Sequence, residues 1–204
     1  MLVGQSYFYL ASRSPRRREL LQQLGVAFYD LLAQEQHGAD VDETPLACED
    51  PVQYVTRLAR AKALLGWRQV VARNLAPHPV LAADTTVVLA GGIVGKPDDA
   101  GHAQQLLQQL SGTTHEVLTA VAVALDDRVE TVLSASAVEF RTLDGAEIQD
   151  YAATGEPLDK AGAYAIQGRA ATFVRALNGS YSGIMGLPLV ETAELLRRFG
   201  IESN

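Results

Sequence analysis

Apolar residues recur along this chain in two periods, and the switching between them predicts the elements. Tyr7 to Ala11, "YFYLA", is a short apolar run of strand type. Ser14 and Pro15 follow. Serine can cap a free backbone N–H and proline is pre-shaped for the first helical position. Leu20, Leu21 and Leu24 then fall at helical spacing, which predicts a helix from Pro15 to about Leu24, ended by Gly25. "VAFYDLLA" predicts a second strand. "QEQHGADVDETPLACED" reads as a polar loop whose length points to function rather than simple connection. From Asp50 and Pro51 onward, Val52, Val55, Leu58, Ala59 and Leu65 mark a long helix over "VQYVTRLARAKALLGW".

Further on, Val80 to Leu89 has the unbroken apolar character of a buried strand, and Gly91-Gly92 suits a hairpin turn into a short return strand. A helix is expected from Asp98 to Leu110. "HEVLTAVAVAL" and "VETVLSASAVEF", separated by a "DDR" turn, predict a strand pair rich in β-branched residues. Asp144 caps a short helix around Ala146 to Ala152. "AYAIQG", "ATFVRAL" and "YSGIMGLP" read as short strands and glycine turns before a closing helix from Leu189 to about Phe199. Interspersed helices and strands predict an α/β fold around a mixed β-sheet, because the hairpins preclude a purely parallel one.

Composition narrows the classes. A chain of 204 residues, 48% hydrophobic and 20% charged, suits one domain or two small lobes with a substantial core. The net charge of −7 disfavours a generic electrostatic grip on nucleic acid. Cys48 is the only cysteine, so no internal disulfide can form. "MLVGQSYFYLAS" lacks the pattern of a secretory leader, and no apolar run approaches the ~18 residues needed to cross a membrane. A cytoplasmic location with no membrane association is the expectation.

On this acidic body "RSPRRRELL" places Arg16, Arg17 and Arg18 in the first turn of a helix, where each exposed cation is disfavoured by about 0.3–1 kcal/mol. Either the side chains reach into water, or an anion such as phosphate sits where N–H groups and guanidinium forks converge. Several common motifs are absent. "AGGIVGKPD" has Ala90 and Pro97 where a phosphate-binding P-loop needs glycine and Ser or Thr. His37, His78, His102 and His115 show no paired spacing for zinc.

Asp84 interrupts the apolar run "VLAADTTVVLA". Such a carboxylate either marks a strand end and bonds local N–H groups, or serves as a general base or magnesium ligand. Asp40, Asp42 and Glu43 form a second acidic group in the long loop, Lys62 lies on the long helix, and Lys96 sits in a "GKP" turn. Each has a bland surface reading. Together they are the inventory for holding a polyphosphate, positioning a divalent ion and activating water.

"LASRSPRRRELL", "VDETP", "YVTRLARAKA", "AADTTV", "GKP", "LSGTTHEV", "EPLDKAGAYAIQG" and "GLPLVET" occur in the order seen in the Maf-like nucleoside triphosphate pyrophosphatases, and the chain resembles that family from about Phe8 to Phe199. The resemblance implies one Maf-like pyrophosphatase domain over 1–204, with an elongated mixed β-sheet flanked by helices and two lobes around a central cleft, often as a homodimer. It implies hydrolysis of a nucleoside triphosphate between the α- and β-phosphates with a divalent metal cation, Mg²⁺ or Mn²⁺. Asp84 then corresponds to the proton acceptor that activates water, and Ser12, Arg17, Glu43, Lys62 and Lys96 to polar positions lining the substrate site. Glu43 and Asp84 are the metal candidates, with Glu35 competing for the place of Glu43 because the preceding loop is longer than usual. Arg16, Thr85 and Gln167 match the branch that resembles dTTP and UTP pyrophosphatases, so they are the expected specificity residues. Modified pyrimidine triphosphates suit the same reading. A non-catalytic nucleotide-binding regulator of cell division is the alternative, and no nucleic-acid partner is expected.

Overall fold

The computed structural model describes residues 6–32 and 41–202. Strands β1 (Tyr7–Leu10), β2 (Ala27–Asp30), β3 (Val80–Leu89), β4 (Gly92–Val94), β5 (Thr114–Leu125), β6 (Arg128–Phe140) and β7 (Val174–Asn178) make one sheet. Their order is β2-β1-β3-β5-β6-β7, with β4 paired to β3. β1 runs parallel to both β2 and β3, whereas β3–β4 and β6–β7 are antiparallel. The expected mixed sheet flanked by helices is what forms.

Most helix starts follow their predicted caps. Helix α1 (Pro15–Gln23) begins at Ser14, whose hydroxyl accepts from the Arg17 amide, and the chain turns at Gly25 with φ 67°. Helix α2 (Pro51–Ala72) begins at Asp50, whose carboxylate accepts from Val52 and Gln53. It continues five residues past the predicted Trp67, because Val70 extends its buried stripe. Helix α3 (Ala100–Leu110) starts on Asp99, and α4 (Gly145–Ala152) on an Asp144–Glu147 capping box.

The last third departs from the expectation of short strands. "AYAIQG" is not a strand: Gly162 and Ala163 both take left-handed backbone, φ 71° and 58°, which no β ladder accommodates. "YSGIMGLP" instead contains the one-turn helix α5 (Tyr181–Ile184), capped by the Ser180 hydroxyl. In "ATFVRAL" a 3₁₀ turn ends at Phe173 and only the second half enters β7. Helix α6 (Leu189–Arg198) closes the chain as predicted. β2 is shorter than "VAFYDLLA" suggests, since the Asp30 carboxylate accepts from the Leu32 amide and turns the chain.

The chain divides into two compact units. The first holds residues 1–84, 119–133 and 186–204. Phe8, Leu10, Leu20, Leu21, Leu58, Leu81 and Leu195 are buried in it. The second, 85–118 and 134–185, has its own core in which Leu107, Leu110, Phe140, Tyr151 and Phe173 are buried. Among the described residues no helix is long and apolar enough to cross a membrane.

Candidate active site

The first unit contains a topological switch point. From β1 the chain runs through α1 to β2 on one side, while β3 pairs with the other side of β1. In such sheets ligands bind beyond the carboxyl ends of the strands where the chain diverges. The register Tyr9↔Val80 and Leu10↔Leu81 ends β1 while β3 runs on, so Ser12 and Asp84 both lie past the end of β1. Both are buried polar side chains.

Ser12 organises the turn. Its hydroxyl accepts from the Ser14 amide at 3.2 Å and from Arg17 Nη1 at 3.3 Å, and Arg17 Nε donates to the Gly186 carbonyl at 2.8 Å. Arg17 is thereby fixed from two sides. Burial lowers its pKa from the ordinary value and the Arg16 charge lowers it further, while Asp84 and Glu43 raise it. The guanidinium stays charged, since arginine does not deprotonate in proteins. Helical geometry rotates successive side chains by about 100°, so the three arginines diverge. Arg16 and Arg17 are half-buried. Arg18 meets neither water alone nor an anionic ligand: it donates to the Asp30 carboxylate at 2.6 Å and so ties α1 to β2.

Lys62 is the junction of the acidic groups. Its ammonium lies 2.7 Å from Asp84 Oδ1 and 2.5 Å from Glu43 Oε1. The buried aspartate is therefore paired, as a carboxylate in an apolar strand requires. Glu43 comes within reach because α2 holds the loop before it. Tyr54 Oη donates to the Glu43 carbonyl at 3.0 Å, and Arg57 Nη2 donates to the Thr44 carbonyl at 3.3 Å. Arg57 also grips Glu49 through two bonds of 2.6 and 2.7 Å, holding its carboxyl down to about 2. Tyr54, Arg57 and Glu49 were not singled out by the sequence, although Tyr54 and Lys62, eight residues apart, share one helix face. Glu35, Asp40 and His37 lie outside the described residues.

Thr85, Lys96 and Gln167 belong to the second unit. Thr85 is half-buried on β3, and Lys96 is exposed in the turn after β4. The neighbouring Gly95 carbonyl accepts from the Gly162 amide at 3.0 Å. Only glycine fits there, because a Cβ on residue 162 would lie 2.8 Å from Val87 Cγ2. Gln167 is exposed on a loop held by Tyr151, whose hydroxyl accepts from the Ala165 amide and donates to Glu156. The same loop is held by a 2.9 Å bond between His115 and the Tyr164 hydroxyl. Burial pushes the His115 imidazole down to about 4.

Two carboxylates converge on Lys62 in the first unit, but among the described residues no group of three or more His, Cys, Asp or Glu could hold a metal ion. A family model described as "Maf-like protein" matches residues 7–199. The chain belongs to the Maf-like family. Three relatives of this Maf-like chain are each named dTTP/UTP pyrophosphatase. That of Aromatoleum aromaticum is 58% identical, over 96% of this chain and 97% of its own. The Dechloromonas aromatica protein is 55% identical, over 94% and 96%, and that of Nitrosomonas europaea 53%, over 95% and 94%. The Staphylococcus aureus Ham1 protein structure superposes with a TM-score of 0.47 at 14% identity, over 66% of this chain and 72% of that one.

Proposed function

We infer that this Maf-like protein hydrolyses dTTP and UTP to the nucleoside monophosphate and pyrophosphate. One observation carries the reading: a buried carboxylate at the switch point, Asp84, is gathered with the cations Lys62 and Arg17. The names of the relatives supply the substrates. Arg17 and Arg16 at the start of α1, with Lys62, balance the charge of a triphosphate, and the helix N-terminus favours the same anion. Asp84 takes a proton from water as the water oxygen bonds to the α-phosphorus. The bond from that phosphorus to the bridging oxygen breaks, and pyrophosphate leaves with the electron pair. In the free protein Asp84 Oδ1 is turned to Lys62, so the other carboxylate oxygen is assigned as the proton acceptor.

The donor set fits a divalent cation only in part. Magnesium is commonly held by one or two carboxylates plus substrate phosphates, rather than by an all-protein cage. Glu43 and Asp84 are the two residues that would hold it, and when bound it would offset charge on the phosphates. Ser12 positions Arg17. Lys96 is assigned to the substrate, and Arg16, Thr85 and Gln167 to the choice of a pyrimidine, whose carbonyl edge suits hydroxyl and amide partners.

Incubation with a panel of canonical and modified triphosphates, with Mg²⁺ or Mn²⁺ and quantified pyrophosphate release, tests the assignment. Preference for dTTP and UTP is expected. Nucleotide binding without turnover would make the protein a regulator instead, and preference for a modified base would change the substrate but not the chemistry.

A further inference from the structure

Lys62 Nζ lies within hydrogen-bonding distance of Glu43 Oε1 and Asp84 Oδ1 at once, so one ammonium occupies the point on which both carboxylates converge. A divalent cation held by the same two oxygens would need that point. The two cannot share it, because their charges repel and the metal requires oxygen contacts of about 2.0–2.1 Å for Mg²⁺. Glu43 is kept near this point independently of Lys62, through the Tyr54 and Arg57 bonds to the backbone of its loop. The pair can therefore open by movement of the lysine alone, with the loop backbone in place. A lysine stem is flexible and its three donors rotate freely, so an arriving polyphosphate offers the ammonium an alternative partner of higher charge.

We propose that Lys62 is a place-holder for the divalent cation: it closes the Glu43–Asp84 pair in the free protein and releases it when a triphosphate draws the ammonium away. Metal then enters with or after the nucleotide, and the free protein binds it weakly despite carrying two ligands. This rests on the assignment of Glu43 and Asp84 to the metal under the proposed function.

The test uses the full chain and Mn²⁺ alone, with free Mn²⁺ followed by electron paramagnetic resonance at pH 8 and no nucleotide. Lys62→Met keeps the stem and removes the charge. It is expected to bind Mn²⁺ at least tenfold more tightly than wild type. Lys62→Arg retains the cation and should bind as weakly as wild type. Glu43→Gln added to Lys62→Met should cancel the gain, which locates the new site. Circular dichroism and a melting curve establish that each variant folds, and Lys62→Gln replaces Lys62→Met if that one does not. Equal Mn²⁺ affinity for wild type and the neutral variants overturns the proposal. So does wild-type affinity that is the same with and without an α,β-methylene triphosphate. Pyrophosphate release by the wild type is measured separately: intact turnover with an unchanged neutral variant sinks only the place-holder, whereas absent turnover on every triphosphate sinks the proposed function.

Discussion

Gly66 sets how deeply α2 rests on the sheet of the first unit, and Lys62 lies one turn before it. A Cβ at position 66 would fall 2.7 Å from Val80 Cγ1 and 2.9 Å from Ala11 Cβ, where carbon atoms prefer about 3.5–4.0 Å. Both neighbours are buried, and neither offers a flexible end that can swing aside. Gly66→Ala must therefore lift the helix by about 1 Å. Overpacking of this kind costs about 1–3 kcal/mol, offset by up to ~1 kcal/mol from the better helix propensity of alanine. With two contacts violated the upper part of that range applies, and a net loss of about 2 kcal/mol lowers Tm by about 4–8 °C in a protein of this size. The same displacement moves Lys62 relative to Asp84, and a misplacement of about 1 Å can reduce turnover by up to ~100-fold. Thermal unfolding by circular dichroism, with pyrophosphate release from dTTP below the transition, reads both effects. Gly145→Ala serves as the control, since a Cβ there meets nothing within 4 Å. An unchanged or raised Tm for Gly66→Ala would refute the packing claim, and full activity would refute its link to the site.

Asp84→Asn should lower kcat by about 10²–10⁴ while calorimetry still detects dTTP binding; robust turnover would remove the carboxylate as base. Arg17→Ala should sharply reduce turnover with the fold intact, and wild-type kinetics would reject its role in holding the triphosphate. Burial holds His115 down to about 4, so the folded state favours the neutral ring. Its contribution of about 3 kcal/mol is present above the unfolded value of about 6.5 and is lost as pH falls from there toward 4. Urea denaturation across that window should show the decline, and His115→Gln should flatten it; an identical slope in the variant would contradict the assignment. Arg57→Ala should make the loop at 41–50 more sensitive to limited proteolysis and lower turnover several-fold, with partial recovery in Arg57→Lys, which can reach Glu49 but cannot form the two-pronged contact. Unaltered cleavage and rate would show that the loop holds without the clamp.

The helix starts were legible because capping is a local event. Ser14, Asp50 and Asp144 each sit beside the amides they accept from, so the sequence alone places them. Asp84 was legible for a related reason: a carboxylate in an apolar strand must have a partner, and Lys62 is that partner. What could not be read was the identity of partners far apart in the chain. Nothing near Arg17 announces that the Gly186 carbonyl will hold it. Nor does Glu49 look different from its acidic neighbours until the path of the loop brings it to Arg57. Nothing near Arg18 points to its partner Asp30, which lies on another element. "AYAIQG" failed as a strand because apolar content carries no information about backbone sign, and two consecutive left-handed residues decide its course.

The most direct measurement of the central claim is hydrolysis of dTTP in ¹⁸O-enriched water, with both products examined by mass spectrometry for the wild type and for Asp84→Asn. Attack by water on the α-phosphorus, assisted by Asp84, predicts one ¹⁸O atom in the nucleoside monophosphate, none in the pyrophosphate, and little product of either kind from the variant. Label in the pyrophosphate, or unchanged product formation by Asp84→Asn, would contradict the account.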